Sequence, residues 1–192
     1  AAVAAFLVEE AAQSVVDLGC GAGPHLDVFR ALDMDARGVE GDMAMASESR
    51  RIVSGDLTAP LDLGDCCDWA MTIEVAEHIP VRLEHAFLDN LHRHNRRGIV
   101  LSWAIRGQHG MGHVNNRNSM EVISLFRNMG YVHEAGIQSR LRSAAERAFL
   151  KETLYVFRRQ EHRPFALDEM RHLVRDSHIA ACFPSRTADE AY

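Results

Sequence analysis

The sequence predicts an α/β protein built on a doubly wound, largely parallel sheet with helices on both faces. Three observations carry this. Short β-rich runs alternate with helical patterns along the chain. The runs are almost continuously apolar, as in "GIVLSW", which suits strands buried on both faces. Polar clusters fall where four successive runs end, at the rim where doubly wound sheets hold ligands.

The first element is the opening "AAVAAFLVEEAA". It has no basic segment before its apolar stretch and meets Glu9 and Glu10 at once, so it reads as a helix and not as a signal peptide. The chain starts without Met, which reads as a processed or truncated piece of a longer protein. Five strands are then expected, at Ser14–Leu18, Ala36–Glu40, Arg51–Ser54, Trp69–Ile73 and Gly98–Trp103. Leu83, Phe87 and Leu91 recur every four residues, and Val122, Leu125, Phe126 and Met129 form a second apolar helical stripe. The second helix has Asn118 or Ser119 as cap, Glu121 in its first turn and Gly130 as its stop. "YVHEAGI" reads as a sixth strand and "KETLYVFRR" as a seventh, with a short helical linker near Ser143–Phe149. The segment 160–192 carries Pro164 and Pro184 and is helical around Leu167–Val174. His85, His92 and His94, on or just after a helix, read as residues of a solvated face.

With 192 residues, 47% of them hydrophobic, the chain can bury one substantial core, and no repeat or second core suggests more than one domain. The formal net charge of -6 gives no basic footprint for nucleic acid, so a nucleic-acid partner is not expected. No apolar run approaches the roughly 18 residues of a membrane span, so no membrane partner is expected either. Cys20, Cys66, Cys67 and Cys182 form no C-x-x-C pair and read as small thiols in a reducing compartment, with a cytoplasmic location expected. Oligomeric state is not legible.

The chemistry-bearing stretch is "VVDLGCGAGPH", in which Asp17 ends a strand and Gly19, Gly21 and Gly23 precede a helix with Pro24 in its first turn. Glycines let the backbone turn tightly and let a ligand approach without meeting a Cβ, while the helix start offers free N–H groups. Glu40 ends the next strand, about twenty residues on, where Rossmann-like folds place a carboxylate on ribose hydroxyls. "SGD" at Ser54–Asp56 ends the third strand, and "TIEVAEHIP" follows the fourth.

This set resembles the class I S-adenosylmethionine-dependent methyltransferases, particularly their small-molecule branch. "DLGCGAG" is similar to their first motif, "GVEGD" to the acidic end of strand two, and "SGDL" and "EVAEHIP" to the third and fourth stations. The resemblance covers Val15 to about Arg159, implying a methyltransferase domain over 1–159 and a partly helical tail over 160–192. It implies a seven-stranded sheet in the order 3-2-1-4-5-7-6 with strand 7 antiparallel, S-adenosyl-L-methionine as cofactor, and a small-molecule acceptor. Carried over, Asp17 and the backbone of Gly19, Cys20, Gly21 and Gly23 meet the cofactor's amino-acid moiety, and Glu40 takes the ribose hydroxyls. Gly41 and Asp42 lie beside the adenosine, Asp56 and Leu57 at the adenine edge, and Glu74 begins the segment passing the sulfonium. A strand-end acid can instead cap the following turn, a reading that stays open for Asp17, Glu40 and Asp56.

The loop "WAIRGQHGMGHVNNRNS" (Trp103–Ser119) has no apolar period and is long enough to be functional. The resemblance places it on the acceptor side, through Gln108, His109, His113 and Asn115. His78 and His113 are the candidate general bases, with Glu74 orienting the acceptor or an imidazole. His109 and His113 could seat a metal on a helix with Glu77 or His78, but Gly110 and Gly112 argue against that helix, so no metal is expected. Two other readings are weighed. A nicotinamide-dependent oxidoreductase is disfavoured because the glycines run G-x-G-x-G, and no Tyr-x-x-x-Lys pair is possible with Lys151 the only lysine. A non-catalytic methyltransferase-like binding module stays open.

Overall fold

The computed structural model describes residues 1–45 and 51–182. Its framework is a seven-stranded sheet of β1 (Ser14–Leu18), β2 (Asp35–Glu40), β3 (Ile52–Ser54), β4 (Cys67–Thr72), β5 (Asn95–Ser102), β6 (Tyr131–His133) and β7 (Leu154–Arg159). The order is β3-β2-β1-β4-β5-β7-β6. β1 to β5 pair in parallel, while β7 runs antiparallel to both β5 and β6. The order and the reversed seventh strand are those expected.

Neighbouring residues on each central strand point to opposite faces, so the pleat sorts the core into two layers. Val16, Ala70, Ile99, Leu101, Tyr155 and Phe157 pack on one face, under α3 (Glu84–Arg93), α4 (Ser119–Asn128) and α7 (Leu167–Cys182). Val15, Trp69, Met71, Val100 and Val156 pack on the other, with α1 (Ala2–Glu9), α2 (Pro24–Arg30) and α5 (Ala135–Ser143). On that second face the Phe6 and Trp69 rings meet edge to face with centroids 5.0 Å apart. A short helix α6 (Leu150–Thr153) leads into β7.

The boundaries differ from the sequence expectation after Gly130. β6 stops at His133, and "EAGI" opens α5 instead of prolonging the strand. Ile137 and Leu141 lie one helical turn apart and both pack on the second core layer, a helical pairing that outweighs the β-rich look of the run. The helical linker placed near Ser143–Phe149 is accordingly split into α5 and α6 on either side of it, and Lys151–Thr153 belong to α6, not to the seventh strand. α4 matches its signals closely: Asn118 and Glu121 form a reciprocal capping box.

The histidine reading is corrected. His85, His92 and His94 are buried, at 9%, 2% and 3% exposure. Different segments cover them. α7 lies over His85, whose Nε2 accepts from Arg171, and the stretch before α7 puts Arg163 and Phe165 against His92. The Leu63 N–H donates to His94 Nε2. His92 Nδ1 lies 3.0 Å from the Tyr131 hydroxyl, and its Nε2 donates to the Arg163 carbonyl at 2.8 Å. His94 Nδ1 donates to the Asn90 carbonyl at 2.8 Å.

Burial pushes the His92 imidazole down to about 4, helped by the positive charges of Arg159 and Arg163. The unfolded chain therefore takes up this proton near pH 6.5 while the folded chain refuses it until about pH 4. Stability should fall as pH drops through that window, by about 3 kcal/mol at its acid end. Urea unfolding of wild type and His92→Gln at pH 7.5 and pH 4.5 checks this: the wild type should lose markedly more stability between the two. Parallel losses in both proteins would refute it.

Candidate active site

The ends of β1, β2, β3 and β4 converge on one open cleft of about 550 Å³. Gly19, Glu40, Gly41, Asp56, Leu57 and Glu74 all line it, as does His78. The sequence placed these residues at four separate strand ends, and the parallel register brings them to one rim.

The glycine loop carries its own geometric signature. Gly19 and Gly21 have φ of +84° and +55°, in the left-handed region that a side chain disfavours. A Cβ on Gly19 would lie 2.4 Å from Val75 Cγ2, so this glycine is demanded by packing. A Cβ on Gly21 would meet nothing within 4 Å. Packing therefore does not explain Gly21; its bare surface is open to a ligand. Gly23 is the left-handed N-cap of α2.

The acids take distinct positions. Asp17 is buried beneath the loop, and its Oδ2 lies 3.4 Å from His25 Nδ1. Burial raises the Asp17 carboxyl above its ordinary range, with His25 partly offsetting it, while the carboxylate in turn raises His25. His25 was missed in the sequence, although its place just after Pro24 was the available signal. Glu40 accepts from the Gly21 N–H at 2.8 Å and the Asp42 N–H at 3.1 Å, so its carboxylate bridges the glycine loop and the turn after β2. Asp56 accepts from both the N–H and the hydroxyl of Thr58, at 2.8 and 2.7 Å, and these bonds hold its carboxyl below the usual range. Asp56 thus does cap the following turn while lining the cleft. Asp42 is exposed and accepts from the Ala44 N–H. Burial pushes the Cys20 thiol up to about 12, which leaves its side chain an inert part of the core.

Glu74 begins the fourth station in a left-handed conformation, φ +58°. For a residue with a Cβ this costs about 1–3 kcal/mol, and such strain persists where surroundings over-determine it. Here Ser102 at the end of β5 does so, its hydroxyl accepting from the Glu74 N–H and donating to Oε1, both at 2.7 Å. The single turn Ala76–His78 follows. Glu77 is fully buried, and neither of its oxygens meets a donor in hydrogen-bonding geometry. Burial pushes its carboxyl up to about 7, offset in part by weakly placed backbone N–H groups of Glu77 itself and Ala104.

The loop between β5 and α4 is tied down from below. The Val114 and Asn115 N–H groups both donate to the Glu77 carbonyl, at 2.9 and 3.0 Å. The Trp103 indole donates to the Asn115 carbonyl, and the Asn116 amide to the Ile105 and Gln108 carbonyls. Arg117 is entirely buried, ion-paired at 2.6 Å with the equally buried Glu84. Of the four residues placed on the acceptor side, Asn115 is corrected: it is buried, its amide donating to Glu84 at 2.6 Å. The Gln108 side chain accepts from the Ile105 N–H within the loop. His109 is exposed, and His113 turns inward with its ring 5.1 Å from that of His78.

No family model and no curated protein sequence matches the chain. Its fold, by contrast, is shared with solved methyltransferases. Magnesium protoporphyrin IX methyltransferase from Synechocystis PCC 6803 with bound SAH superposes with a TM-score of 0.63 at 16% identity, over 82% of this chain and 80% of that one. The sugar N-methyltransferase KedS8 from Streptoalloteichus sp ATCC 53650 gives 0.65 at 17% identity, over 83% and 85%. CalS10, an amino pentose methyltransferase from Micromonospora echinaspora with SAM bound, gives 0.60 at 18% identity, over 82% and 89%. Among the described residues no helix is long and apolar enough to cross a membrane. The strand order with its reversed β7 differs from the all-parallel 3-2-1-4-5-6 sheet of dinucleotide-binding domains. This chain has the class I methyltransferase fold.

Proposed function

We propose that this chain is an S-adenosylmethionine-dependent methyltransferase that transfers a methyl group to a small-molecule acceptor. The observation that carries the proposal is the convergence of four strand-end motifs on one cleft beside Gly21, the loop glycine that packing does not require. The structural neighbours are methyltransferases of magnesium protoporphyrin IX, a sugar and an amino pentose, which supports a small-molecule acceptor.

The cofactor supplies an electrophilic methyl on a sulfonium, which leaves as a neutral thioether. The chain's part is placement. The Gly19–Gly23 backbone, with Asp17 buried beneath it, would hold the amino-acid end, Glu40 the ribose, Gly41 and Asp42 the adenosine, and Asp56 with Leu57 the adenine edge. Glu74, fixed by Ser102, together with His78 and His113 forms the flank that receives the acceptor. Aligning two reactants in this way can be worth roughly 7–11 kcal/mol of barrier.

Ligand selectivity tests the reading. At a hundredfold over Kd, S-adenosylhomocysteine should stabilise the fold by about 2.7 kcal/mol, seen as a rise in Tm. NAD and NADP should give none. Stabilisation by a nicotinamide dinucleotide alone would overturn the proposal.

A further inference from the structure

We propose that Glu77, His78 and His113 form a binding site for one divalent transition-metal ion, beside the cleft where His78 lines it. Their donor atoms lie within 4.8 Å of one another. The site has the features of a built one. Glu77 is fully buried, and its two oxygens and the buried His113 Nδ1 make no well-formed hydrogen bond among the described residues, Glu77 being approached only by weakly placed N–H groups of its own backbone and Ala104. Leaving such groups poorly paired is costly, and a cation is a partner that both residues could share.

One imidazole has its tautomer fixed as well. His78 Nδ1 donates to the Gly112 carbonyl at 3.1 Å, which fixes its tautomer and leaves the Nε2 lone pair for a metal. The segments bearing the ligands are stapled together, since the Glu77 carbonyl accepts from the Val114 and Asn115 N–H groups just past His113. At bond lengths of about 2.0–2.2 Å a tetrahedral ion holds its donors roughly 3.3–3.6 Å apart, so loading draws the widest pair of this set in by about an ångström. Two imidazoles and one carboxylate suit zinc, cobalt, iron or manganese better than calcium or magnesium.

His109, the other histidine of the loop, is exposed and stands outside the set, so the helical His109–His113 pairing is not what assembles the site. Ligation commits the His78 and His113 lone pairs, which replaces the general-base role expected of them. If the methyltransferase reading holds, the bound ion would stand beside the acceptor.

The test uses the full chain stripped of metal and titrated with Co²⁺ in the absence of any nucleotide. One Co²⁺ per chain should bind, with visible d–d absorption reporting nitrogen and oxygen ligands. His113→Ala and Glu77→Gln should each weaken binding by at least about 10–100-fold, the loss seen when only a supporting contact is removed. His109→Ala should bind as wild type does, and far-UV circular dichroism checks that each variant is folded. His113→Ala decides the matter if Glu77→Gln does not fold, because His113 sits on a loop. No stoichiometric binding by wild type, or wild-type affinity in His113→Ala, would overturn the site. A chain that binds Co²⁺ but not S-adenosylhomocysteine keeps the metal site and loses the methyltransferase reading.

Discussion

Arg117→Met should destabilise the chain by about 3–5 kcal/mol, the cost of leaving a buried charge without its partner. The Arg117 and Glu84 side chains are both fully buried, and the guanidinium gives Glu84 two contacts, at 2.6 and 3.4 Å. It also lies over the Trp103 ring, 5.3 Å from the centroid, and donates to the Ser177 hydroxyl on α7. One residue thus joins the β5–α4 loop to α3 and α7. Removing it leaves Glu84 with Asn115 and His178 alone. Replacing both charges together, as Arg117→Met with Glu84→Leu, should recover much of the loss, because a buried pair is stabilising mainly relative to half of itself. Urea unfolding of the two single variants and the double variant measures this. A single-variant loss below about 1 kcal/mol would contradict the role given to the pair.

Gly21→Val should abolish S-adenosylhomocysteine binding and still fold cooperatively. Its left-handed φ makes a side chain cost about 1–2 kcal/mol, but a Cβ there meets no protein atom. The added methyls would instead occupy the space assigned to the cofactor. Gly19→Val is the matched contrast: its Cβ runs into Val75, so its principal loss should be stability. Calorimetric titration paired with thermal unfolding separates the two. Undiminished binding in Gly21→Val would place the ligand elsewhere.

What the sequence made legible, and what it hid, follows from range. β1 and β5 are recognisable because their buried stretches, Val15–Val16 and Gly98–Leu101, are continuous apolar runs, a property of a few consecutive residues. The glycine loop is equally local. The "EAGI" stretch misleads because four residues cannot reveal whether Ile137 pairs with a strand neighbour or with Leu141 one turn on. His92 reads as solvated because the residues that cover it, Arg163 and Phe165, lie some seventy residues away in an apparent tail. The Glu84–Arg117 pair and the isolation of Glu77 are invisible for the same reason: charged residues are expected in water unless a distant partner is known. Glu74, His78 and His113 were legible as types at a strand end and in a long loop. Their convergence with Glu77 depends on backbone bonds between residues 77 and 115 that no local pattern encodes.

The account turns on Glu40 and the glycine loop holding a nucleoside and its amino-acid tail, and a crystal structure with S-adenosylhomocysteine bound tests that directly. Glu40 spans the Gly21 and Asp42 N–H groups here, so its carboxylate must shift or share these bonds to receive a ribose. The predicted result places both ribose hydroxyls within about 2.5–3.0 Å of the Glu40 carboxylate. The ligand's amino-acid end should rest on the Gly19–Gly23 backbone, and its sulfur should face Glu74. A ligand bound away from this rim, or a Glu40 carboxylate still closed on Gly21 with the ribose elsewhere, would contradict it.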